Sequence, residues 1–528
     1  MAELPTCESA THASEPAGTG KPVSPVPPRY WWLKRIVIVS VAFLIVLIGV
    51  RLWWGWEANR RLQAEIDRII AAGEPIYPAD FDPPPMRPEE NAAKLYLDAE
   101  AALNLNPTQG DFVNQLASEY AEIRKRLDEV EPFVLANAEA FQLVRRAGEL
   151  KKVDWGGRVR SPAINFLLPN LSMHRHMSKI LSITATYHAE RGNDVEALTT
   201  LLDSFRFSEA IDHEPFLITH LVAIACRALV VHDIEHIVPT LAITSKTRER
   251  DGSSTAAPRE LVFTLITELL DDTSLQAALV RAMQADRMIL LDMAQMIIRG
   301  DAGIGSLASW TFAPPSLLER VLAFPLTPMI ELDALVGIRF GSAFVDGAGK
   351  PNWPSALTTL PPEPSDWSPL ERLTRPVSGI VISSLGRAVF LHFRLLAEMR
   401  MAAIALAIRL YEVDHGRRPD ALAELVPEYL SAVPMDPLAA DDRPIAYLPD
   451  APKPILYSVG ENGTDDGGSY TVHSSGRLDR SSLDRPFFLD GDRPTRRRDA
   501  DDSGETDDDG DDVEGDRGDS EQDEPAQR

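Results

Sequence analysis

The stretch of this chain with the sharpest chemistry is His232-Asp233-Ile234-Glu235-His236. On a helix, residues four apart lie one turn apart on one face, so His232 and His236 could present two imidazoles to one zinc ion while Glu235 acts on a metal-bound water. A third ligand would be a carboxylate from farther along, with Glu260 and Glu268 among the options. The competing reading is the polar end of an amphipathic helix that begins near Phe216, because the macrodipole favours histidine near a helix C-terminus. The first reading makes the chain a membrane-tethered zinc hydrolase with Glu235 as its catalytic base; the second leaves it without a catalytic residue.

Other reactive spacings are missing or broken. Gly347-Ala348-Gly349-Lys350 ends like a phosphate loop, but it lacks the first glycine at the required distance and Pro351 follows the lysine. No G-x-S-x-G or G-x-G-x-x-G occurs, which removes nucleophile-elbow and dinucleotide readings. His174 and His176 read as surface or core residues rather than ligands. The H-x-x-E-H order resembles the inverted zincin signature of certain peptidases. Nothing else in the chain resembles those enzymes in length or organisation.

A second group of residues lies near the C-terminus. A long helix is expected from near Arg387, ending at Tyr411-Glu412-Val413-Asp414-His415-Gly416, and Arg417-Arg418-Pro419-Asp420 follows. Then come Val433-Pro434-Met435-Asp436-Pro437, two strand candidates (Ile445 to Leu448 and Ile455 to Ser458), a Gly- and Asp-rich turn, and Ser469-Tyr470-Thr471-Val472. This order resembles the globular part of the major pseudopilins of type II secretion, in which Y-x-x-D-x-G-x-x-P closes a helix and P-x-D-P precedes the strands. The resemblance covers residues 400 to 480. It implies an α+β module whose last loop binds calcium, which places Asp465 and Asp466, with Asn462, as the expected ligands. A Gly-rich turn carrying two adjacent carboxylates, an amide oxygen and free carbonyls suits a hard cation; the alternative is a solvated turn with no metal. Two departures stand out. Some 330 residues separate the membrane helix from this module, and Asn462 stands where the family places its first loop aspartate. The whole arrangement resembles bacterial envelope proteins in which such a module closes a large helical domain.

These groups need a scaffold, and the chain supplies a mainly helical one. After a Pro-, Ser- and Thr-rich start (residues 1–29, expected to be disordered), an apolar run from Ile36 to Val50 is flanked by Tyr30, Trp31, Trp32, Trp53, Trp54 and Trp56. About 20 helical residues cross a hydrocarbon core, and residues 33–54 meet this if Lys34, Arg35 and Arg51 snorkel to the headgroups. Bulky Trp and Arg occupy the positions where a signal peptide would be cut, so the segment reads as an uncleaved anchor with aromatic residues at both interfaces. Positive charges tie across it: Lys21, Arg29, Lys34 and Arg35 precede the span, and Arg51, Arg60, Arg61 and Arg68 follow it. The crowding of the leading charges and the pseudopilin resemblance favour an N-terminus in the cytoplasm of a bacterium and a periplasmic bulk anchored in the inner membrane.

Residues 57–385 read as one large irregular helical domain with Pro-rich loops at 75–88 and 351–376. Leu62, Ile66, Ile69 and Ile70 follow a helical period next to the membrane, and further helices are expected near 89–103, 112–130, 132–150, 170–191 and 195–211. Gly192-Asn193 marks the turn before the last of these. Residues 259–299 continue the pattern, with a break where Asp272, Thr273 and Ser274 could cap a new start. Residues 301–376 lose periodicity and read as an excursion packed on the bundle. No repeat near 34 residues emerges, which excludes a regular solenoid. Residues 386–490 form the pseudopilin-like module.

The formal net charge is −26, and residues 499–528 alone hold fifteen Asp or Glu against two Arg, so half of it sits in a tail. With no aromatic residue and a single β-branched aliphatic, Val513, the stretch 491–528 is expected to be disordered. Such a balance gives no footing for nucleic acid. Cys7 and Cys226 lie on opposite sides of the anchor, so no disulfide is expected. Taken together, the residues point to a membrane-anchored, non-catalytic envelope protein that contacts protein partners. The alternatives are the zinc hydrolase and a structural spacer without bound metal.

Overall fold

No glycine or proline interrupts the chain between Trp56 and Ala71, and Glu57 pairs one turn on with Arg61 at 2.7 Å, so nothing ends the helix where its apolar run stops. In a computed structural model, helix α1 accordingly runs unbroken over Trp31–Ala71. The residues described are 30–104, 112–113, 116, 120–166, 168, 170–245, 255–303, 305–306, 314–362, 364–382, 385–472, 478, 483–491 and 493–494. Cys7, the N-terminal tail and residues 495–528 fall outside them. The expected juxtamembrane helix is therefore the second half of the anchor itself. Its outer half is bare, while Leu62, Ile66 and Ile69 are buried in the domain and Ile70 stays exposed. A glycine at φ +76°, Gly73, turns the chain away before the Pro-rich loop.

Helices α2 (Ala92–Ala102), α3 (Tyr120–Lys125), α4 (Leu127–Ala136) and α5 (Ala138–Gly148) follow. Where two long helices were expected over 112–150, Asn137 breaks the run. Its buried side chain accepts from Asn104 N at 2.8 Å and donates to Phe133 O at 2.8 Å. The hairpin of α6 (Leu171–Glu190) and α7 (Asp194–Ile211) turns at Gly192, whose φ is +72°. Helices α8 (Leu217–Ile237), α9 (Arg259–Leu270) and α10 (Thr273–Arg299) complete the middle, the last two separated at Asp271-Asp272 as the sequence indicates.

The stretch 301–376 departs from expectation. Besides α11 (Leu317–Ala323), α13 (Trp353–Leu357), α14 (Pro369–Thr374) and α15 (Pro376–Ile382), it contains α12, Thr327–Ala348, packed against α10 and α1 at the centre of the domain. Ile330, Ala334, Leu335, Ile338 and Phe344 are all buried, so α12 is apolar on most sides and leaves no amphipathic period to read. Gly337 and Gly341 allow the close approach: a Cβ on Gly337 would sit 2.5 Å from Leu290 Cδ1, and one on Gly341 2.9 Å from Arg287 Cβ.

Helix α16 (Leu385–His415) joins the two principal cores. Phe390, Phe393 and Leu396 pack with α10 and α12, while Met399, Leu406 and Leu410 pack with α8 and α9. The boundary expected between residues 385 and 386 thus falls at the start of a helix that the helical domain surrounds. After it comes an antiparallel sheet in the order β1 (Ala446–Leu448), β2 (Ile455–Ser458), β3 (Arg485–Phe488), with Tyr447 opposite Leu456 and Leu456 opposite Phe487. After the Gly- and Asp-rich turn, Val472 makes an isolated bridge to Leu478. The third strand carries Pro486, tolerated because β3 lies at the sheet edge.

Among the described residues, three helical stretches are long and apolar enough to cross a membrane. The most apolar window of α1 is 0 % buried, that of α8 is 67 % buried, and that of the stretch 317–348 is 47 % buried. Enclosed by α6, α7 and α16, α8 is a core helix of the domain.

Candidate functional site

The last turn of α8 carries His232, Glu235 and His236, and the fold brings the two imidazoles together. His232 Nε2 and His236 Nε2 are 3.2 Å apart. Tyr120 stacks on His236 with ring centroids 4.6 Å apart, and burial pushes the His236 imidazole down to about 4, so it is neutral near pH 7. Glu235 is fully buried and points elsewhere. Its carboxylate accepts the Phe488 backbone N–H at 2.6 Å and Arg493 Nε at 2.5 Å. Burial pushes this carboxyl upward against the pull of Arg493. The last turn of α8 is therefore fastened to β3 and the segment just after it, where Gly491 packs on the Glu235 carbonyl.

Neither carboxylate suggested as a third ligand joins the pair. Glu268 is held by Arg206, with Nη2 to Oε1 at 2.6 Å, and Glu260 is exposed on α9. Among the described residues no group of three or more His, Cys, Asp or Glu side chains is arranged to hold a metal ion. His174 is a core residue, fully buried between Trp155 and Phe207.

The Gly- and Asp-rich turn is closed by donors of the protein itself. Asp465 accepts Gly467 N at 2.9 Å and Tyr457 Oη at 3.1 Å, and its other oxygen faces the Arg443 guanidinium. The Gly467 N–H first, then Tyr457 and Arg443, hold this carboxyl below its ordinary value. Asp466 faces Asn462, whose Nδ2 lies 3.1 Å from Asp466 Oδ2, while Asn462 Oδ1 accepts Thr464 N at 3.0 Å. Asp484 ties the turn from beneath, accepting Gly468 N at 2.7 Å and Asp466 N at 3.0 Å. Arg443 thus places a positive charge beside Asp465, whose two oxygens, like Asn462 Oδ1 and Asp466 Oδ2, face N–H or O–H donors. Raising calcium to about 1 mM over EGTA-treated full chain is expected to leave its unfolding temperature unchanged, since a hard cation seeking about six to eight oxygens must first displace those donors. A calcium-dependent rise that Asp465→Asn abolishes would reinstate the cation.

A third cluster escaped the sequence reading. Asp212, at the end of α7, receives Arg227 on one oxygen and His220 Nδ1 on the other at 2.9 Å. His220 Nε2 lies 3.4 Å from His392 Nδ1, and His392 Nε2 lies 3.3 Å from Gln276 Oε1. Burial favours a protonated Asp212, but Arg227 and His220 overcome it and hold the carboxyl below its ordinary value. Burial keeps His392 neutral, well below the usual imidazole range. Because Gln276 Nε2 donates to Ala348 O, its Oε1 must accept from His392, which turns the other His392 nitrogen toward His220 as an acceptor. Gln276 also lines an open cleft of about 1130 Å³ beside Glu74, Tyr77, Asp80 and Arg281. One part of this cluster was legible: His220 and Arg227 stand seven apart, on one face of a helix that is otherwise apolar up to His232 apart from Thr219.

Comparison with known proteins adds no relative: no family model, curated protein or solved structure matches the chain.

Proposed function

We propose that this chain is a bilayer-anchored protein of the bacterial envelope whose helical domain is a rigid, non-catalytic platform for protein partners, closed by the module at residues 386–490. The observation that carries this reading is the single helix α1, bare over its apolar half and packed on the domain core by one face of its second half, through Ala58, Leu62, Ile66 and Ile69. A domain mounted without a hinge holds a fixed height and orientation over the membrane, which suits a contact platform better than a tethered enzyme that must reach substrates. The fastening of Glu235 by Phe488 and Arg493 supports the non-catalytic part, because a general base must be free to take a proton from water. An N-terminus in the cytoplasm, with the bulk outside the inner membrane, completes the proposal.

A second reading, zinc hydrolysis, draws on one observation. Two nitrogens bound to one tetrahedral zinc at about 2.0–2.1 Å stand about 3.4 Å apart, close to the 3.2 Å between His232 and His236. Metal content separates the two readings. Full chain purified in detergent and dialysed against trace zinc is expected to retain well under one zinc per chain and to show no hydrolysis that Glu235→Gln abolishes. One zinc per chain, lost in His232→Ala, would replace the platform by the enzyme. Release of the chain from membranes by alkaline carbonate would overturn the anchor.

A further inference from the structure

Beyond the anchor, large apolar side chains face outward on two short helices. On α11, Leu317, Leu318 and Val321 are 82, 68 and 69 % exposed. Phe324 and Leu326, just after it, remain exposed, and on α14 Leu370 and Leu373 are 68 and 73 % exposed. A short helix bathed in water places its apolar side against the protein; on α11 the apolar side chains at 317, 318 and 321 are exposed along with Glu319 and Arg320. Its Arg320 reaches back to the Gly300 carbonyl at 3.3 Å while the leucines point away. Helix α14 repeats the pattern, with Arg372 turned back to the Ser365 carbonyl at 2.6 Å.

The position of α11 relative to the anchor is fixed by contacts. Helices α1 and α12 run parallel: Arg51 Nε donates to Phe324 O at 2.9 Å, and Glu65 accepts Arg339 Nε at 3.2 Å. Between them, Gly55 faces Pro328. Arg51 is the first charged residue after the apolar run, so it marks the depth at which α1 leaves hydrocarbon for headgroups. Phe324 shares that depth, and its ring receives the Arg51 guanidinium 4.5 Å from the centroid. Helix α11 therefore lies beside the emerging anchor. Helix α14 leads into α15, which docks on the same helix α12: Val377 N donates to Asp333 Oδ2 at 2.7 Å.

We propose that the face formed by residues 317–326 and by Leu370 and Leu373 lies in the headgroup region of the leaflet from which α1 emerges, so that the domain rests on lipid as well as hanging from its anchor. The occupant of this face is the bilayer surface, since the anchor brings it there and apolar side chains with nearby Arg residues suit the headgroup boundary. The inference rests on the reading of α1 as the span, and the test keeps the two apart.

Nitroxide labels at Leu318→Cys and Leu373→Cys, each in the full chain with Cys7→Ser, would be read in phosphatidylcholine and phosphatidylglycerol vesicles. Reference labels are Ile45→Cys in the anchor and Leu135→Cys, 67 % exposed on α4. Cys226 is buried, and burial pushes its thiol up to about 11, which keeps it unlabelled. Oxygen concentrates in lipid and a nickel chelate in water. Labels at 318 and 373 are expected to respond to oxygen over nickel, as at 45, with the opposite response at 135. If 45 reads lipid while 318 and 373 read water, this inference fails and the anchor stands. Shielding of 318 and 373 from both reagents would assign the face to a second copy of the chain and overturn the lipid contact. Water at 45 would remove the anchor and this inference with it.

Discussion

Exchange of Asp212 for Ala is expected to lower the unfolding free energy by about 3–5 kcal/mol, the cost typical of a buried ion pair that loses one partner. Arg227 and His220 are each 1 % exposed, so neither can turn to water once the carboxylate is gone. The loss is a large share of the roughly 5–15 kcal/mol that holds an ordinary domain together. Asp212→Asn keeps one acceptor and the shape of the site, and should cost less. The double exchange Asp212→Leu with Arg227→Met removes both charges and should recover part of the loss, because the desolvation penalty of Arg227 disappears with it. Urea unfolding of the full chain in detergent, followed by circular dichroism, measures all three. Equal losses for the Asn and Ala variants would show that the charge at Asp212 contributes nothing, and no recovery in the double variant would assign the effect to packing alone.

That cluster shows why part of the architecture could be read from the sequence and part could not. Strongly periodic segments with a turn signal, such as α6 and α7 about Gly192-Asn193, stand where the residue pattern puts them, and β1 and β2 occupy the expected positions. Local chemistry decides these elements. Helix α12 escaped because burial on most sides erases the amphipathic period, and β3 escaped because Pro486 reads as a breaker until its place at the sheet edge is known. The sites divide in the same way. The spacing of His232, Glu235 and His236 is visible in five residues, but what Glu235 does depends on Phe488 and Arg493, which lie 253 and 258 residues away. The carboxylates of the calcium expectation are likewise decided by Arg443, 22 residues before Asp465. His392 reaches His220 across 172 residues, a pairing no local pattern announces.

Glu235→Ala is expected to destabilise the chain by about 3 kcal/mol, since it strands the Arg493 guanidinium and the Phe488 N–H at once. Phe488 is 1 % exposed, so its N–H has no water to turn to. Glu235→Gln retains an oxygen for one of the two donors and should lose less. Arg493→Ala leaves the opposite fault, a carboxylate with no cation in a fully buried position, and its cost should depend on pH. Burial already raises the Glu235 carboxyl above its unfolded value. Such a group contributes stability that is fully present below the unfolded value and is lost as pH rises through the folded one. Removing Arg493 takes away the pull that opposes this rise, so the deficit of Arg493→Ala relative to the unaltered chain should be larger at about pH 8 than at about pH 5. Unfolding midpoints at the two pH values give the comparison. A zinc hydrolase would behave differently, with Glu235→Gln silencing turnover at unchanged stability. A pH-independent deficit in Arg493→Ala would mean that the guanidinium acts through its packing rather than its charge.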